Sequence, residues 1–405
     1  MYNRLSNFFE SNLILSPTQF GFRKNMSTED AIISLTKSLY SSLNNKYHSI
    51  SVFIDFQKAF DTINHSILLK KLEFYGVRGQ FLNLIQSYLT NRYQVVRIGK
   101  NISDRSEIRL GVPQGSILGP LLFLVYVNDV FYVSNVAKTI LFADDTTLVF
   151  THHSWDILFT MCNQELEKFR VWCLANRLSI NVNKTFYMIF SNSTYAIENI
   201  PHVYIDGQII VNKTDCMFLG MKLDNKLKFN LHVQYISGKV SKSIGIIFRL
   251  SKIVPSNVLR SLYFSFIYSY LTYCICIWGG TFPTHLNRLT ILQKRIIRII
   301  TGSEYLAHTN DLFYNNSLLK LPEIYEYFVL IYMFKNLNTF PTFQTSTRTS
   351  DNLRIDFHRL SVSRNSIAYN GPKFWNNLPP QLKSINSIWT FKHTIKTYLL
   401  SRYFE

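Results

Sequence analysis

LFADDTTLVF, residues 141–150, sets two adjacent acids, Asp144 and Asp145, in the middle of an apolar stretch. Short runs rich in β-formers flank them, residues 139–142 and 146–150, and predict a β-hairpin with Ala143, Asp144 and Asp145 at its tip. Neighbouring carboxylates repel when water is removed, which raises a pKa unless a cation intervenes. A second apolar run, ISVFIDF at residues 50–56, reads as a buried strand carrying a third acid, Asp55, near its end. Three carboxylates on one sheet suit hard divalent cations, which take oxygen ligands. Two such ions about 4 Å apart can serve an in-line phosphoryl displacement. A single Asp is more often a turn or capping residue. A double acid on an apolar hairpin is harder to explain that way.

Around this pair the chain alternates strands and helices. Residues 61–75 predict a helix with Ile67, Leu68 and Leu72 inward and Gly76 as its stop. Residues 169–178 predict another, followed by a strand at 186–190. The pattern points to an α+β fold, a sheet covered on one face by helices. No internal repeat and no Pro- or Gly-rich linker interrupts it. A length of 405 residues suits two or three lobes. With 47% apolar residues, the chain has the material for large cores and is not a disordered protein.

Five cysteines without paired spacing argue against a disulfide scaffold and for a reducing compartment. Cys274 and Cys276 lack a second ligand pair and His152-His153 stands alone, so no structural zinc is expected. Residues 1–10 lack the apolar core of a secretory signal. The uncharged stretch at 262–280, LYFSFIYSYLTYCICIWGG, has the length of a membrane span. Its serines, threonine and four tyrosines favour a buried helix instead, and no membrane partner is expected.

Charge separates the lobes. The chain carries a net +18, and +11 of it lies in residues 222–302, where twelve Lys or Arg meet one acid, Asp224. A basic lobe on a nearly balanced body suggests a clamp for a polyanion. Within it Leu289, Leu292, Ile296 and Ile299 recur at helical spacing, with Lys294, Arg295 and Arg298 on another side.

Together the motifs carry a resemblance. QFGFRKNMSTEDAI (19–32), FIDFQKAFDTINH (53–65), GVPQGSILGPLLF (111–123), FADD (142–145), LSINVNKT (178–185) and FLG (218–220) stand in one order. The chain resembles the reverse transcriptases of non-LTR retrotransposons of the jockey or LINE-like kind. GPKFWNNLP (371–379) extends the likeness toward the C-terminus.

The resemblance implies a right-hand polymerase. Fingers and palm with an antiparallel sheet would occupy 1–220, a helical basic thumb 221–320, and a helical extension 321–405. It implies an RNA-directed DNA polymerase that extends a primer 3′ end with deoxynucleotides on an RNA template. Two Mg²⁺ ions, with Mn²⁺ as a substitute, would be held by Asp55, the Phe56 carbonyl, Asp144 and Asp145.

The remaining roles follow the motifs. Lys184 would protonate the leaving pyrophosphate, and Arg23 with Lys24 would grip the triphosphate. Phe60, five residues beyond Asp55, would be the steric gate under the sugar. Gln114 and Gly115 would contact the incoming nucleotide and template. Phe218, Leu219 and Gly220 would form the primer grip, while Lys294, Arg295 and Arg298 would hold phosphates.

An active enzyme of this kind would work inside the cell, in the nucleus. Relatives carry an endonuclease-like domain ahead of the polymerase that is not found here, so the rival expectation is a truncated, inactive nucleic-acid-binding remnant. A serine hydrolase is a poor fit, since GSILG (115–119) lacks the nucleophile-elbow spacing.

Overall fold

The 50–56 run forms its strand slightly early, as β1 (His48–Ile54), and all of it beyond His48 is buried. Ile50, Val52 and Ile54 alternate with Ser49, Ser51 and Phe53, so both faces of the strand are covered. The computed structural model describes residues 1–192, 201–341 and 352–404.

β1 lies at the centre of a five-stranded sheet. β6 (Lys138–Phe142), β7 (Asp145–His152) and β8 (Phe186–Phe190) join it, with β11 (Val211–Asn212) at one edge, in the order β11-β8-β1-β7-β6. All neighbours are antiparallel except β8 with β11. One hydrophobic cluster unites Ile50, Val52 and Ile54 with α5 (Leu118–Val127) and α6 (Trp155–Ala175). Helix α5, LGPLLFLVYV, is apolar all round because it is buried all round. Helix α6 starts well ahead of the expected 169–178 segment, its inward face set by Leu158, Phe159, Cys162, Leu166 and Phe169.

The expected helix at 61–75 is shorter, α3 (His65–Phe74). Asn64 sets its start, accepting a hydrogen bond from the Ile67 amide at 3.1 Å. Before it, Lys58 has φ +47°, so the residues after Asp55 turn instead of winding into the helix. After α4 (Gly79–Leu89), a ribbon of β2 (Arg92–Gln94), β3 (Arg97–Ile98), β4 (Asn101–Ile102) and β5 (Ser106–Ile108) leads back toward α5.

The chain groups into two compact units, residues 1–35 with 46–214, and residues 36–45 with 215–405. Helix α1 (Tyr2–Ser11) and the sheet belong to the first; α2 (Thr28–Asn44) contributes to both. The second unit opens with a hairpin, β12 (Asp215–Phe218) and β13 (Met221–Asp224), and continues mostly as helices. Its 262–280 stretch is not one helix. α8 (Ser256–Tyr263) passes through a π-turn at Phe264–Tyr268 into α9 (Ser269–Thr272). The backbone then breaks at Cys274, φ +52°, before α10 (Ile275–Trp278). Among the described residues no helix is long and apolar enough to cross a membrane.

Candidate active site

The three acids are aligned by strand register. β1 pairs with β7 from His48–His152 to Ile54–Thr146, and one further step sets Asp55 across from Asp145. The β6–β7 hairpin closes on the pair Phe142–Asp145, so Ala143 and Asp144 form its two-residue turn. Ala143 takes φ +55°, a conformation that Gly usually supplies in such turns. Holding a non-glycine residue there costs on the order of 1 kcal/mol or more, and such strain collects at functional sites.

The Asp145 carboxyl is pushed up to about 6, first by loss of water and then by the charges of Asp144 and Asp55. Asp145 still keeps solvent access at its surface. A group in a concave surface can be open to water and yet poorly solvated. The three carboxylates therefore feel one another across a site that a solute can reach.

The donor set fits a hard divalent cation: oxygen ligands only, like-charged, and accessible. Among the described residues no three His, Cys, Asp or Glu side chains converge tightly enough to hold an ion unaided. Mg²⁺ commonly binds through one or two carboxylates, the remaining ligands being water and substrate phosphates.

A loop after α6 holds Asp55 in place. Asn181 donates its side-chain amide to Asp55 Oδ2 at 3.0 Å, and its backbone N–H to the Asp55 carbonyl at 2.8 Å. The Asp55 amide donates to Thr185 Oγ1 at 3.3 Å. Lys184 stands between these two, its Nζ 3.9 Å from Asp55 Oδ2 and largely exposed. Phe56 pairs with Ile180 across the same loop and is buried. Asn181 and Thr185 lie inside the LSINVNKT motif, yet sequence reasoning gave a role there only to Lys184.

Phe60 is partly buried, its ring stacked on Phe123 with centroids 4.5 Å apart and edge-on to Phe22 at 6.2 Å. Its turn is strapped to the GVPQG loop. The Val112 amide donates to the Phe60 carbonyl at 3.0 Å and the Gly111 amide to Ile63 at 2.8 Å. Gly111, at φ +80°, leaves no space for a side chain: a Cβ would fall 2.8 Å from the Asp61 backbone. Gln114 donates to Asp61 Oδ1 at 2.7 Å, and Gly115 turns at φ +79° with nothing packed above it. Ser116 is engaged by Tyr88 and the Gly119 amide, a structural hydroxyl. Beside this loop a cavity of about 740 Å³ is lined by Lys58, Asp61, Arg92, Arg109 and Gln114.

Arg23 is committed within its own neighbourhood. Its guanidinium meets Glu10 through two bonds and donates a third to the Ser16 carbonyl at 2.7 Å. Lys24 is exposed. The exposed Phe22, at φ +54°, sets its ring edge-on to Phe60; sequence reasoning gave it no role.

The other expected residues lie in the second unit. Phe218 is buried, and Leu219 and Gly220, φ +45° and +80°, make the tight turn joining β12 to β13. The Tyr273 hydroxyl donates to the Leu219 carbonyl, seating that turn. Asp224, the sole acid among the twelve cations of residues 222–302, accepts from the amides of Lys226, Lys228 and Phe229.

Lys294, Arg295 and Arg298 lie on α11 (Pro283–Thr301). The buried seam of that helix runs Leu289, Gln293, Ile296, Ile297 and Ile300, while Leu292 and Ile299 lie at its margin. A polar residue enters the seam because Gln293 is satisfied there, bonding Leu319 and Leu321 and reaching Tyr263. Arg295 is exposed, Lys294 half-buried, and Arg298 donates to the Ala307 carbonyl at 2.9 Å.

A sheet of antiparallel strands with paired acids on a hairpin tip and a third acid across from it is the arrangement of template-directed polymerases. The chain belongs to the reverse transcriptase (RNA-dependent DNA polymerase) family, whose profile matches residues 1–223. It is similar to the probable RNA-directed DNA polymerase from transposon BS of Drosophila melanogaster: 29% identical over 319 residues, 75% of this chain and 34% of that one. It is similar also to the RNA-directed DNA polymerase from mobile element jockey of the same species, 28% identical over 335 residues, 80% of this chain and 36% of that one. These are non-LTR retrotransposon polymerases, the branch that the motif series implied. The chain spans about a third of the length of the curated relatives it matches. Among solved structures, telomerase from Candida albicans with a fragment of telomeric RNA aligns at TM-score 0.41 and 14% identity, over 75% of this chain and 56% of that one.

Proposed function

We propose that this chain is an RNA-directed DNA polymerase: it adds deoxynucleotides to a primer 3′ end on an RNA template. The observation that carries this reading is the placement of Asp55, Asp144 and Asp145, set by the β1–β7 register and the two-residue turn of the β6–β7 hairpin. In the reaction the 3′-hydroxyl gives its proton to water, its oxygen bonds to the α-phosphorus, the bond from that phosphorus to the bridging oxygen breaks, and pyrophosphate leaves with the electron pair. Bound at the carboxylates and the Phe56 carbonyl, two Mg²⁺ ions, or Mn²⁺ in their place, would lower the pKa of the 3′-hydroxyl and offset charge on the pyrophosphate.

The chain's own residues position the reactants. Asn181 and Thr185 hold Asp55, and Lys184, 3.9 Å from that carboxylate, would protonate the leaving pyrophosphate. Phe60 walls the sugar, Gln114 and Gly115 face nucleotide and template, and Arg23 and Lys24 meet the triphosphate. Phe218, Leu219 and Gly220 grip the primer, while Lys294, Arg295 and Arg298 hold the duplex backbone. The reading assigns fingers and palm to residues 1–220, thumb to 221–320 and an extension to 321–405; the change of unit at Thr214–Asp215 supports the first boundary.

The test is primer extension on an RNA template with Mg²⁺ and labelled deoxynucleotides, for the wild type and Asp144→Asn. The substitution keeps shape and removes charge, so extension should fall by orders of magnitude while template–primer affinity changes little. Near wild-type extension by Asp144→Asn would remove the mechanism. Binding without extension by the wild type would identify an inactive remnant.

A further inference from the structure

The catalytic hairpin is held from outside by a segment that carries none of the assigned chemistry. Residues 18–21 lie along the edge of β6. The Leu141 amide donates to the Thr18 carbonyl at 2.9 Å, and the Phe20 amide to the Leu141 carbonyl at 2.8 Å. The segment is anchored upstream by Asn128, which accepts from the Ser16 amide and donates to the Ile14 carbonyl.

Gln19, 2% exposed, reaches the turn itself: its Oε1 accepts from the Gly21 amide at 2.8 Å and from the Ala143 amide at 3.1 Å. Two backbone donors aimed at one atom identify that atom as the oxygen. The other half of the same amide, Nε2, is buried with no hydrogen-bond partner among the described residues. Buried polar atoms are rarely left unsatisfied. An apolar residue would avoid that cost, so the amide is retained for what its oxygen does. Gly21 closes the contact, since a Cβ on it would fall 2.2 Å from the Ala143 nitrogen. Everything converges on Ala143, the residue held at φ +55° immediately before Asp144 and Asp145.

We propose that Gln19, with Gly21, is a positioning residue of the polymerase site, a latch that holds the strained Ala143 turn so that Asp144 and Asp145 present their carboxylates to a divalent cation. It rests on the polymerase reading above. A turn that prefers to relax away from positive φ rotates the two following residues, and an acceptor fixed on the Ala143 amide opposes that rotation. The latch acts through the turn and touches no substrate.

The experiment measures Mn²⁺ binding to the full chain without nucleotide, by the electron paramagnetic resonance of free Mn²⁺, with template–primer affinity as the control. Gln19→Leu removes the acceptor at nearly constant volume and should weaken Mn²⁺ binding about tenfold or more, leaving template–primer affinity unchanged. Adding Ala143→Gly should restore binding, because Gly holds positive φ without help. A purely structural role for Gln19 would lower the melting temperature without that rescue.

Wild-type affinity in Gln19→Leu, or a loss that Ala143→Gly does not recover, overturns the latch. Should Gln19→Leu not fold, it is compared within the Ala143→Gly background, where less than twofold loss is expected and a tenfold loss overturns the proposal. A wild-type chain that extends no primer would remove the polymerase reading itself, whereas one that extends primer yet binds Mn²⁺ no better than Gln19→Leu overturns only the latch, which separates the two failures.

Discussion

Arg23 and Glu10 close on each other through two hydrogen bonds, Nε to Oε1 at 2.9 Å and Nη2 to Oε2 at 2.5 Å, with the arginine side chain only 10% exposed. Such a fork is among the stronger hydrogen-bonded pairs. Glu10→Gln leaves the guanidinium without its carboxylate and should cost about 1–3 kcal/mol, read from urea unfolding. To reach a triphosphate, Arg23 must leave Glu10. The same variant should therefore lower KM for deoxynucleotides several-fold; an unmoved KM would make Arg23 a brace for α1 and nothing more.

Phe60 faces two ways, stacked on the fully buried Phe123 and edge-on to the exposed Phe22. Phe60→Val should cost about 2–4 kcal/mol of stability, as large-to-small core changes do. As a gate, the ring also excludes a 2′-hydroxyl, and its loss should raise ribonucleotide relative to deoxynucleotide incorporation by tenfold or more, about 1.4 kcal/mol of discrimination. The ratio comes from single-nucleotide extension on one RNA template. If both substrates decline in step, the ring is packing.

Replacing Lys294, Arg295 and Arg298 with Gln should flatten the dependence of log template affinity on log salt. Each phosphate contact contributes about 0.9 to the slope. Arg298 is partly engaged by Ala307, so the expected change is about one to two. It should affect all sequences alike, because phosphates carry no base information. A slope equal to the wild type's would leave the three residues facing solvent.

His232 gives the second unit a dependence on pH. It is 2% exposed, with Nδ1 accepting from the Lys222 amide at 3.2 Å and Nε2 without a partner among the described residues, its ring edge-on to Trp278 at 5.6 Å. Burial first, and then the Lys222 charge, lower its pKa from 6.5 to about 4. Between those values the unfolded chain binds more protons than the folded one. Stability is therefore full above about pH 6.5 and declines by up to about 3 kcal/mol as pH falls to 4. Unfolding free energies measured across pH 4 to 7.5 should show that decline in the wild type and a shallower one in His232→Gln.

Much of the site was readable in one dimension. Short apolar runs rich in β-formers located the strand that leads to Asp55 and the one that begins at Asp145, because a strand covered on both faces is apolar along its length. Apolar flanks on an acidic turn marked FADD as chemistry. The order of motifs then named the family. Segment ends were less legible. α6 begins at Trp155 because its inward face is completed by residues packed against β1 and β7, and α3 starts late because Asn64 caps it.

What only the tertiary structure decided is who meets whom. The register that sets Asp55 opposite Asp145, the Asn181 and Thr185 clasp on Asp55, and the Gln19 latch on Ala143 all join segments far apart in sequence. Local pattern carries no information about such pairings, since each depends on loop closure and on which buried polar groups find partners. The same holds for the basic helix, where a rotation of the buried seam toward Gln293 and Ile297 drew Arg298 to Ala307 and left Arg295 exposed. Composition determined that this lobe would be positive; packing determined which of its charges stay free for a polyanion.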